Sequence, residues 1–184
     1  MKVDETDLPG VVELTPKRFE DDRGWFSETW NAETFARAGL EFAWVQDNES
    51  LSADAGTVRG IHFQIAPGAQ DKLVRVVSGR IFDVAVDLRR SSPTFGQWVG
   101  LELRADTGNQ LLVPKGFGHG FATLTDNCQV AYKVSSVYDG SCDRSIAWDD
   151  PDIGIDWPFD TATASLSTKD QHAPRLADAP DLFA

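Results

Sequence analysis

Short stretches in which apolar and polar residues alternate dominate the chain, and they predict an all-β fold. Most are rich in Val, Ile, Phe and Trp, which favour strands. Turn-forming pairs such as Ser78-Gly79 and Asp139-Gly140 separate them. About ten short strands at such spacing are typical of a β-sandwich or barrel. The predicted strands are 11–15, 25–30, 42–46, 57–64, 72–77, 81–88, 97–104, 110–113, 119–123, 129–134 and 145–148.

Two segments depart from this alternation and predict short helices. Residues 31–40, NAETFARAGL, offer Asn31 as N-cap, Glu33 in the first turn and Gly39 as the stop. In the tail, Ser167 followed three residues later by Asp170 resembles a capping box and predicts a second helix within 167–178. No linker, repeat or low-complexity stretch divides the chain, so residues 1–184 are predicted to form one all-β domain.

Composition limits the possible partners. The chain has 29 Asp and Glu against 17 Lys and Arg, a net charge of −12, and 41% hydrophobic residues. The hydrophobic content is sufficient for a packed core. The negative charge argues against a nucleic-acid surface, which is normally basic. It leaves room for an anionic small molecule, because a few clustered Arg and Lys can set the field of a cleft.

The expected location is the cytoplasm. No apolar run approaches the ~18 residues that a membrane span needs. The first residues, MKVDETDLPG, are acidic and polar, unlike a secretory or transit peptide. Cys128 and Cys142 are too few for a disulfide framework or a zinc cluster. We therefore expect a soluble protein with reduced thiols.

The strand 81–88 has one apolar face and one face that carries carboxylates. Phe82, Val84, Val86 and Leu88 share the first face, and Asp83 and Asp87 alternate with Ile81 and Ala85 on the second. Such a face is either solvated or lines a polar barrel interior. From the sequence alone, we predict a solvated outer face.

The chain has three histidines, His62, His119 and His172. His119 ends a P-x-G-x-x-H pattern, which delivers a histidine onto a strand as in the second motif of cupin barrels. Metal-binding cupins usually add H-x-H and a later Glu, whereas His62 stands without a second histidine in HFQ. We expect no metal, although a site of two histidines and one carboxylate stays open. Each histidine could also be a core imidazole bonded to backbone.

Arg59, His62 and Lys72 place three groups capable of positive charge within fourteen residues of an acidic chain. If they converge in a barrel mouth, they would attract a phosphate or stabilise an oxyanion. Strict alternation puts Arg59 and His62 on opposite faces of a strand. A bulge at Gly60 would bring both to one face.

Eight segments, in order from about residue 15 to residue 174, resemble the dTDP-4-dehydrorhamnose 3,5-epimerase family. The resemblance implies a cupin-like double-stranded β-helix, or jelly-roll barrel, with no cofactor and no metal. It implies a homodimer and a dTDP-linked 4-keto-6-deoxyhexose as substrate. The segments are DRGWFSETW, WVQDNES, GTVRGIHFQ, AQDKLVRVVSGRIFDVAVDLR, PKGFGHGFATL, VAYKVSSVYDG, IAWDDPDIGIDWP and LSTKD.

The resemblance also implies the catalytic roles. Inversion next to a ketone needs a base, an electrophile for the enolate and an acid on the opposite face. The family's base matches His62, with Asp170 as its carboxylate partner and Tyr132 as the acid. Lys72 matches a lysine near the sugar keto oxygen. Each has a structural alternative: Asp170 a helix cap, Tyr132 a cross-strand aromatic pair and Lys72 an edge-strand charge.

Substrate-binding positions carry over in the same way. Tyr138 matches an aromatic that stacks on thymine. Asp143 stands where the family usually has Glu, one methylene longer, and Gly118 replaces the commoner Ala. Residues 1–30 are expected to contribute to the dimer, with 11–30 adding strands to the partner's sheet, and 160–184 to pack on the barrel. The implied binding set is Arg23, Glu28, Gln46, Asp47, Asn48, Arg59, Lys72, His119, Tyr138, Asp143 and Lys169.

The sequence therefore predicts an epimerase that inverts C3 and C5 of a dTDP-4-keto-6-deoxyhexose through enolates. Inversion at only C3 or only C5 stays open. Two alternatives of other classes also remain: a metal-dependent cupin oxygenase or isomerase, and a sugar-binding cupin without catalysis. The joint presence of His62, Asp170, Tyr132 and Lys72 favours catalysis, because binding alone needs no acid and base.

Overall fold

Strands account for most of the regular structure in the computed structural model, which describes residues 1–184. The strands are β1 (Lys2–Glu5), β2 (Val12–Thr15), β3 (Arg18–Asp21), β4 (Gly24–Ser27), β5 (Gln46–Ser52), β6 (Val58–Gln64), β7 (Lys72–Ser78), β8 (Arg80–Asp87), β9 (Trp98–Arg104), β10 (Gln110–Val113), β11 (Phe117–Thr123), β12 (Cys128–Val134) and β13 (Asp143–Ser145). The α-helices are α1 (Ala32–Arg37) and α2 (Thr168–Gln171), and 3-10 turns lie at Thr161–Thr163 and Leu176–Asp178. None of the helices has the length and apolar character needed to cross a membrane.

Two antiparallel sheets face each other. The first has the order β1-β2-β10-β7-β12-β5, and the second has the order β13-β6-β11-β8-β9. Their inner faces share one buried cluster that includes Val74 and Val130 from the first sheet and Ile81, Ala85 and Phe121 from the second. Strands β3 and β4 pair only with each other, as a separate hairpin. The predicted cupin-like jelly-roll barrel is confirmed.

The outer faces of both sheets are covered as well. Helix α1 is capped by Asn31, whose side chain accepts a hydrogen bond from the Thr34 amide at 3.0 Å, as predicted. Its Phe35 packs with Leu14 and Leu112 against the outside of the first sheet. The outside of the second sheet carries a further cluster, into which the C-terminal residues pack; members include Val84, Val86, Trp148, Trp157, Leu176, Ala179 and Phe183.

The preferred prediction of a solvated face on strand β8 is wrong. Asp83 and Asp87 are both 0% exposed, like Ile81 and Ala85 beside them. The polar barrel interior, the other reading, is correct. The apolar side chains of the opposite face are also buried, because the C-terminal residues cover them.

Several boundaries differ from the sequence-based prediction: β4 ends at Ser27 and not at residue 30, and α1 ends at Arg37 and not at residue 40. Residues 42–45 form no strand, and Phe42 and Trp44 instead pack against the cluster outside the first sheet. The strand in this region is β5, which begins at Gln46. Most of its residues are polar on both faces, so an alternation of apolar and polar residues does not predict it. Strand β13 overlaps the predicted strand 145–148 only at Ser145, and the tail helix is only α2 followed by a 3-10 turn. Strands β1 and β3 were not predicted.

Candidate active site

A cleft opens between the two sheets, at the end of the barrel where β5 and β7 begin and β6 ends. Two adjoining cavities make up this cleft, an inner one of about 370 Å³ and an outer one of about 510 Å³. Both are lined by His62, Lys72 and Tyr132. The inner cavity adds Arg59, Ser50, Thr57, His119, Phe121, Ser165, Leu166, Ser167 and Asp170. The outer cavity adds Gln46, Asn48, Gln64, Gln70, Tyr138, Asp143 and Lys169.

A bulge in strand β6 brings Arg59 and His62 to the same cavity. His119 is the register partner of His62, but Phe121, two residues on, is the partner of Arg59, three residues back. The extra residue lies at Gly60 and Ile61, as the sequence suggested. Gly60 has φ +136°, and a Cβ there would stand 2.4 Å from the Gly120 Cα. Only glycine fits that position.

His62 and Asp170 form a dyad although 108 residues separate them. His62 Nε2 lies 2.5 Å from Asp170 Oδ1, with Asp170 4% exposed. The Ser167 hydroxyl, which caps α2, donates to Asp170 Oδ2 at 2.8 Å. Burial acts to raise the pKa of Asp170, but the His62 hydrogen bond and charge, with Ser167, hold that pKa below its usual value. The carboxylate is therefore available to orient the imidazole and to stabilise an imidazolium.

Lys72 lies at the floor of the cleft and is 8% exposed. Its Nζ donates to the backbone oxygen of His62 at 3.2 Å. Burial lowers the pKa of Lys72 to about 8, against the opposing effect of the Asp83 and Asp143 carboxylates. An ammonium so poorly hydrated is well suited to stabilise an oxyanion.

Tyr132 stands on the wall opposite His62. It belongs to β12 of the first sheet, whereas His62 belongs to β6 of the second sheet, and both line the two cavities. Burial raises the pKa of the Tyr132 hydroxyl, with Arg59 acting in the opposite direction. The hydroxyl therefore keeps its proton at neutral pH, as a general acid requires.

His119 pairs with a different carboxylate. Its Nε2 lies 2.8 Å from Asp83 Oδ1, and both side chains are buried. The two imidazoles that line the inner cavity therefore each have a carboxylate partner of their own. No group of three or more His, Cys, Asp or Glu side chains is placed to hold a metal ion.

The outer cavity holds an exposed aromatic ring beside a charged pair. Tyr138 is 62% exposed, and its hydroxyl donates to Asp143 Oδ2 at 3.3 Å. Lys169 Nζ donates to the same oxygen at 2.5 Å. The backbone amide of Tyr138 is held by the Gln46 side chain at 3.0 Å, and the same Gln46 donates to Asn48 at 2.7 Å.

Three residues of the expected binding set lie outside the cleft in this chain. Arg23 is at the tip of the β3–β4 hairpin, where it pairs with Asp21. Glu28 contacts Asn31 at the start of α1. The Asp47 side chain lies on the opposite face of β5 from Gln46 and Asn48, and it accepts two hydrogen bonds from Lys133. Their roles stay predictions.

The sequence assigns no site role to several residues that line the cleft or contact its lining. Asp83, which pairs with His119, is predicted only as one of two carboxylates on a strand face, and Ser167 only as a helix cap. Phe121 and Leu166 give the inner cavity an apolar wall that no motif signalled. Alternation along β8 and β11 was the available signal for Asp83 and Phe121, since both share the inward face with core residues.

The barrel and the site together define a cupin-like protein built for acid–base chemistry at carbon, with a dyad on one wall and a phenol on the other. The family model described as dTDP-4-dehydrorhamnose 3,5-epimerase matches residues 5–178. A dTDP-4-dehydrorhamnose 3,5-epimerase of Sinorhizobium fredii is 51% identical over 170 residues, 92% of this chain and 87% of its own. The chain belongs to the dTDP-4-dehydrorhamnose 3,5-epimerase family.

Solved structures agree with that assignment. The structure of dTDP-6-deoxy-D-glucose-3,5-epimerase from Legionella pneumophila, in complex with dTDP-4-keto-L-rhamnose, superposes with a TM-score of 0.92 at 38% identity. The match covers 100% of this chain and 99% of that one. A 3'-monoepimerase from Streptomyces bikiniensis, in complex with dTDP-quinovose, gives a TM-score of 0.88 at 35% identity, over 95% of this chain and 87% of that one.

Proposed function

We propose that this protein epimerises C3 and C5 of dTDP-4-keto-6-deoxyglucose to give dTDP-4-keto-L-rhamnose. The observation that carries the proposal is the placement of the His62–Asp170 dyad and Tyr132 on opposite walls of one cleft. Inversion at carbon requires proton removal from one face and proton delivery to the other. The high identity to 3,5-epimerases over almost the whole chain supports the choice of substrate.

In this mechanism, His62 takes the proton from the carbon next to the keto group. The C–H electron pair becomes the enolate double bond, and the keto oxygen gains the negative charge. Asp170 stabilises the imidazolium, and the Lys72 ammonium stabilises the enolate oxygen. Tyr132 then gives its hydroxyl proton to the opposite face of the same carbon. Exchange with solvent restores His62 and Tyr132 before the second carbon reacts.

The outer cavity is the proposed nucleotide site. The exposed ring of Tyr138 offers a flat apolar face on which thymine would stack. Arg59, His119 and Lys169 would meet the sugar and the diphosphate, since each lines the cleft and each can carry positive charge. Binding would require Tyr138 and Lys169 to loosen their contacts with Asp143, whose side chain here is shorter than the usual Glu.

The test measures the incorporation of deuterium from solvent into the sugar. Incubation with dTDP-4-keto-6-deoxyglucose in heavy water, followed by NMR and mass analysis, should show label at both C3 and C5. The His62→Asn variant should lose label at both positions while it still binds dTDP. The matched control is His172→Asn, because His172 is the exposed histidine outside the cleft and its replacement should leave exchange unchanged. Exchange by His62→Asn at the wild-type rate would contradict the assignment of the base.

A second candidate function is epimerisation at one carbon only. The similarity to the 3'-monoepimerase favours it, because that enzyme shares the fold at 35% identity. The same experiment separates the two candidates: label and inversion confined to C3 or to C5 would replace the double epimerisation by the single one.

We also propose that the protein is a homodimer whose hairpin β3–β4 reaches the partner subunit. The hairpin exposes three aromatic rings, Phe19, Trp25 and Phe26, at 55%, 56% and 69%, a patch that is costly to leave in water. Of the predicted exchanged segment 11–30, strand β2 pairs within its own sheet, so the hairpin is the part free to cross. It would bring Arg23 to the partner's cleft. A fully active monomer in sedimentation experiments would refute this.

The proposed location is the cytoplasm. Cys128 and Cys142 are both buried and unpaired, a state that fits a reducing compartment. Fractionation of the native cells, followed by detection of the protein with an antibody, tests this assignment.

A further inference from the structure

Asp83 is a buried carboxylate whose hydrogen bonding is incomplete. It is 0% exposed, and its Oδ1 pairs with His119 Nε2 at 2.8 Å. No protein group donates to its Oδ2. Buried polar atoms nearly always have a partner, so an unpaired carboxylate oxygen in the interior calls for a physical explanation.

The nearest uncompensated charge of opposite sign is Lys72, which lies across the interior on strand β7 and feels the Asp83 carboxylate. Lys72 alternates there with Val74 and Val76, which belong to the cluster between the sheets, and Asp83 alternates with Ile81 and Ala85 of the same cluster. The two charged residues therefore both lie on inward faces, in opposite sheets, where their charges act on each other without a direct ion pair. Lys72 Nζ has a single hydrogen bond, to a backbone oxygen, so its charge is also incompletely compensated.

The other carboxylates near Lys72 are already engaged. Asp170 accepts from His62 and Ser167, and Asp143 accepts from Lys169 and Tyr138. Asp83 has one oxygen left. The charged and titratable groups that face Lys72 from the surrounding elements are Arg59, His62, Asp83, His119, Tyr132, Asp143, Lys169 and Asp170.

We propose that Asp83 is a positioning residue that acts as the shared counter-ion of Lys72 and His119. Its Oδ1 fixes the tautomer of His119 with hydrogen on Nε2, and its charge keeps Lys72 protonated in a site that burial would otherwise neutralise. The inference rests on the proposed function, in which the Lys72 ammonium stabilises the enolate. Asp83 itself acts through these two side chains and does not contact substrate.

The Asp83→Asn variant separates charge from shape. The asparagine oxygen can still accept from His119 Nε2, but the negative charge is lost. The pKa of Lys72, about 8 in the wild type, should then fall by about one unit, the low end of the effect of a nearby opposite charge. The alkaline limb of the kcat/KM profile should move down by the same amount. Well above pH 8 the variant should be about tenfold slower than the wild type, with a smaller difference at pH 6.

Asp150→Asn is the matched control. Asp150 is also buried, at 2% exposed, but it accepts from the backbone amides of Asp152 and Leu176, outside the cleft. Its replacement should leave the alkaline limb in place. A wild-type pH profile in Asp83→Asn, whether or not its overall rate is lower, would overturn the proposal.

A measurement on the wild type decides the question if Asp83→Asn does not fold. Long-range proton–nitrogen NMR spectra report which nitrogen of each histidine carries hydrogen, and variants of His62 and His172 assign the three rings. His119 should carry hydrogen on Nε2 at neutral pH. Hydrogen on Nδ1 alone would overturn the proposal. Failure of the proposed function is distinguishable, because the wild type would then incorporate no deuterium into the substrate at any pH.

Discussion

Replacement of Asp170 by Asn tests how much of the catalysis depends on the dyad. The substitution keeps the shape of the side chain and removes its charge. In the wild type, the carboxylate lies 2.5 Å from His62 Nε2 and is 4% exposed. Solvent therefore has little opportunity to replace the interaction once the charge is gone.

The magnitude follows from the type of hydrogen bond. A hydrogen bond to a charged group contributes about 1.5–3 kcal/mol. Each 1.36 kcal/mol of transition-state stabilisation is tenfold in rate, so kcat should fall about 10- to 150-fold. KM should change little, because Asp170 lies behind the imidazole. The loss should affect both carbons, since one base serves both.

The assay measures the rates of deuterium incorporation and of product formation under saturating substrate. Ser167→Ala provides a graded variant, because it removes only the hydroxyl that donates to Asp170 Oδ2 at 2.8 Å. Ser167 orients the carboxylate and leaves its charge in place, so only part of this hydrogen bond's energy affects the transition state; a loss of about 1 kcal/mol would lower kcat about fivefold. A folded Asp170→Asn protein with kcat within twofold of the wild type would refute the dyad.

Further predictions concern the acid, the fold and the bulge. Tyr132→Phe should still wash in deuterium through the base, while net inversion falls by about 10²–10⁴-fold; near-normal turnover would place the acid elsewhere. Asp87→Ala should lower the free energy of unfolding by about 3 kcal/mol, since it leaves Arg89 without its partner. Calorimetry should then show a Tm lower by roughly 6–12 °C, and an unchanged Tm would refute the estimate. Gly60→Ala, whose Cβ would meet the Gly120 Cα at 2.4 Å, should shift the base and lower kcat about 100-fold in the same kinetic assay; wild-type kcat would contradict it.

The fold was largely predictable because most strands bury one apolar face. Strands β6 to β12 follow alternating or continuous apolar residues, and their positions agree with the sequence to within a few residues. Strand β5 was not predictable in this way. Its residues Gln46 and Asn48 line the cleft, and a strand whose inward face is polar carries no hydrophobic signal.

The site was only partly predictable from the residues themselves. The cluster of Arg59, His62 and Lys72 is visible within fourteen residues, and Gly60 indicated the bulge that unites them. The pairing of His62 with Asp170 was not predictable from the residues themselves, because 108 residues separate them and nothing local indicates the contact. It was expected from the family resemblance alone.

Asp83 and Asp87 show why residue type and strand face do not by themselves identify a functional group. They lie four residues apart, each two residues from Ala85, they face the same interior, and both are 0% exposed. Asp87 accepts five hydrogen bonds, from Arg89, Ser92 and Thr94, so its charge is fully used in holding the loop after β8. Asp83 has one partner and one free oxygen opposite a buried lysine. The number of partners that the fold supplies to each carboxylate, which depends on strands distant in sequence, separates the structural residue from the one that acts on the site.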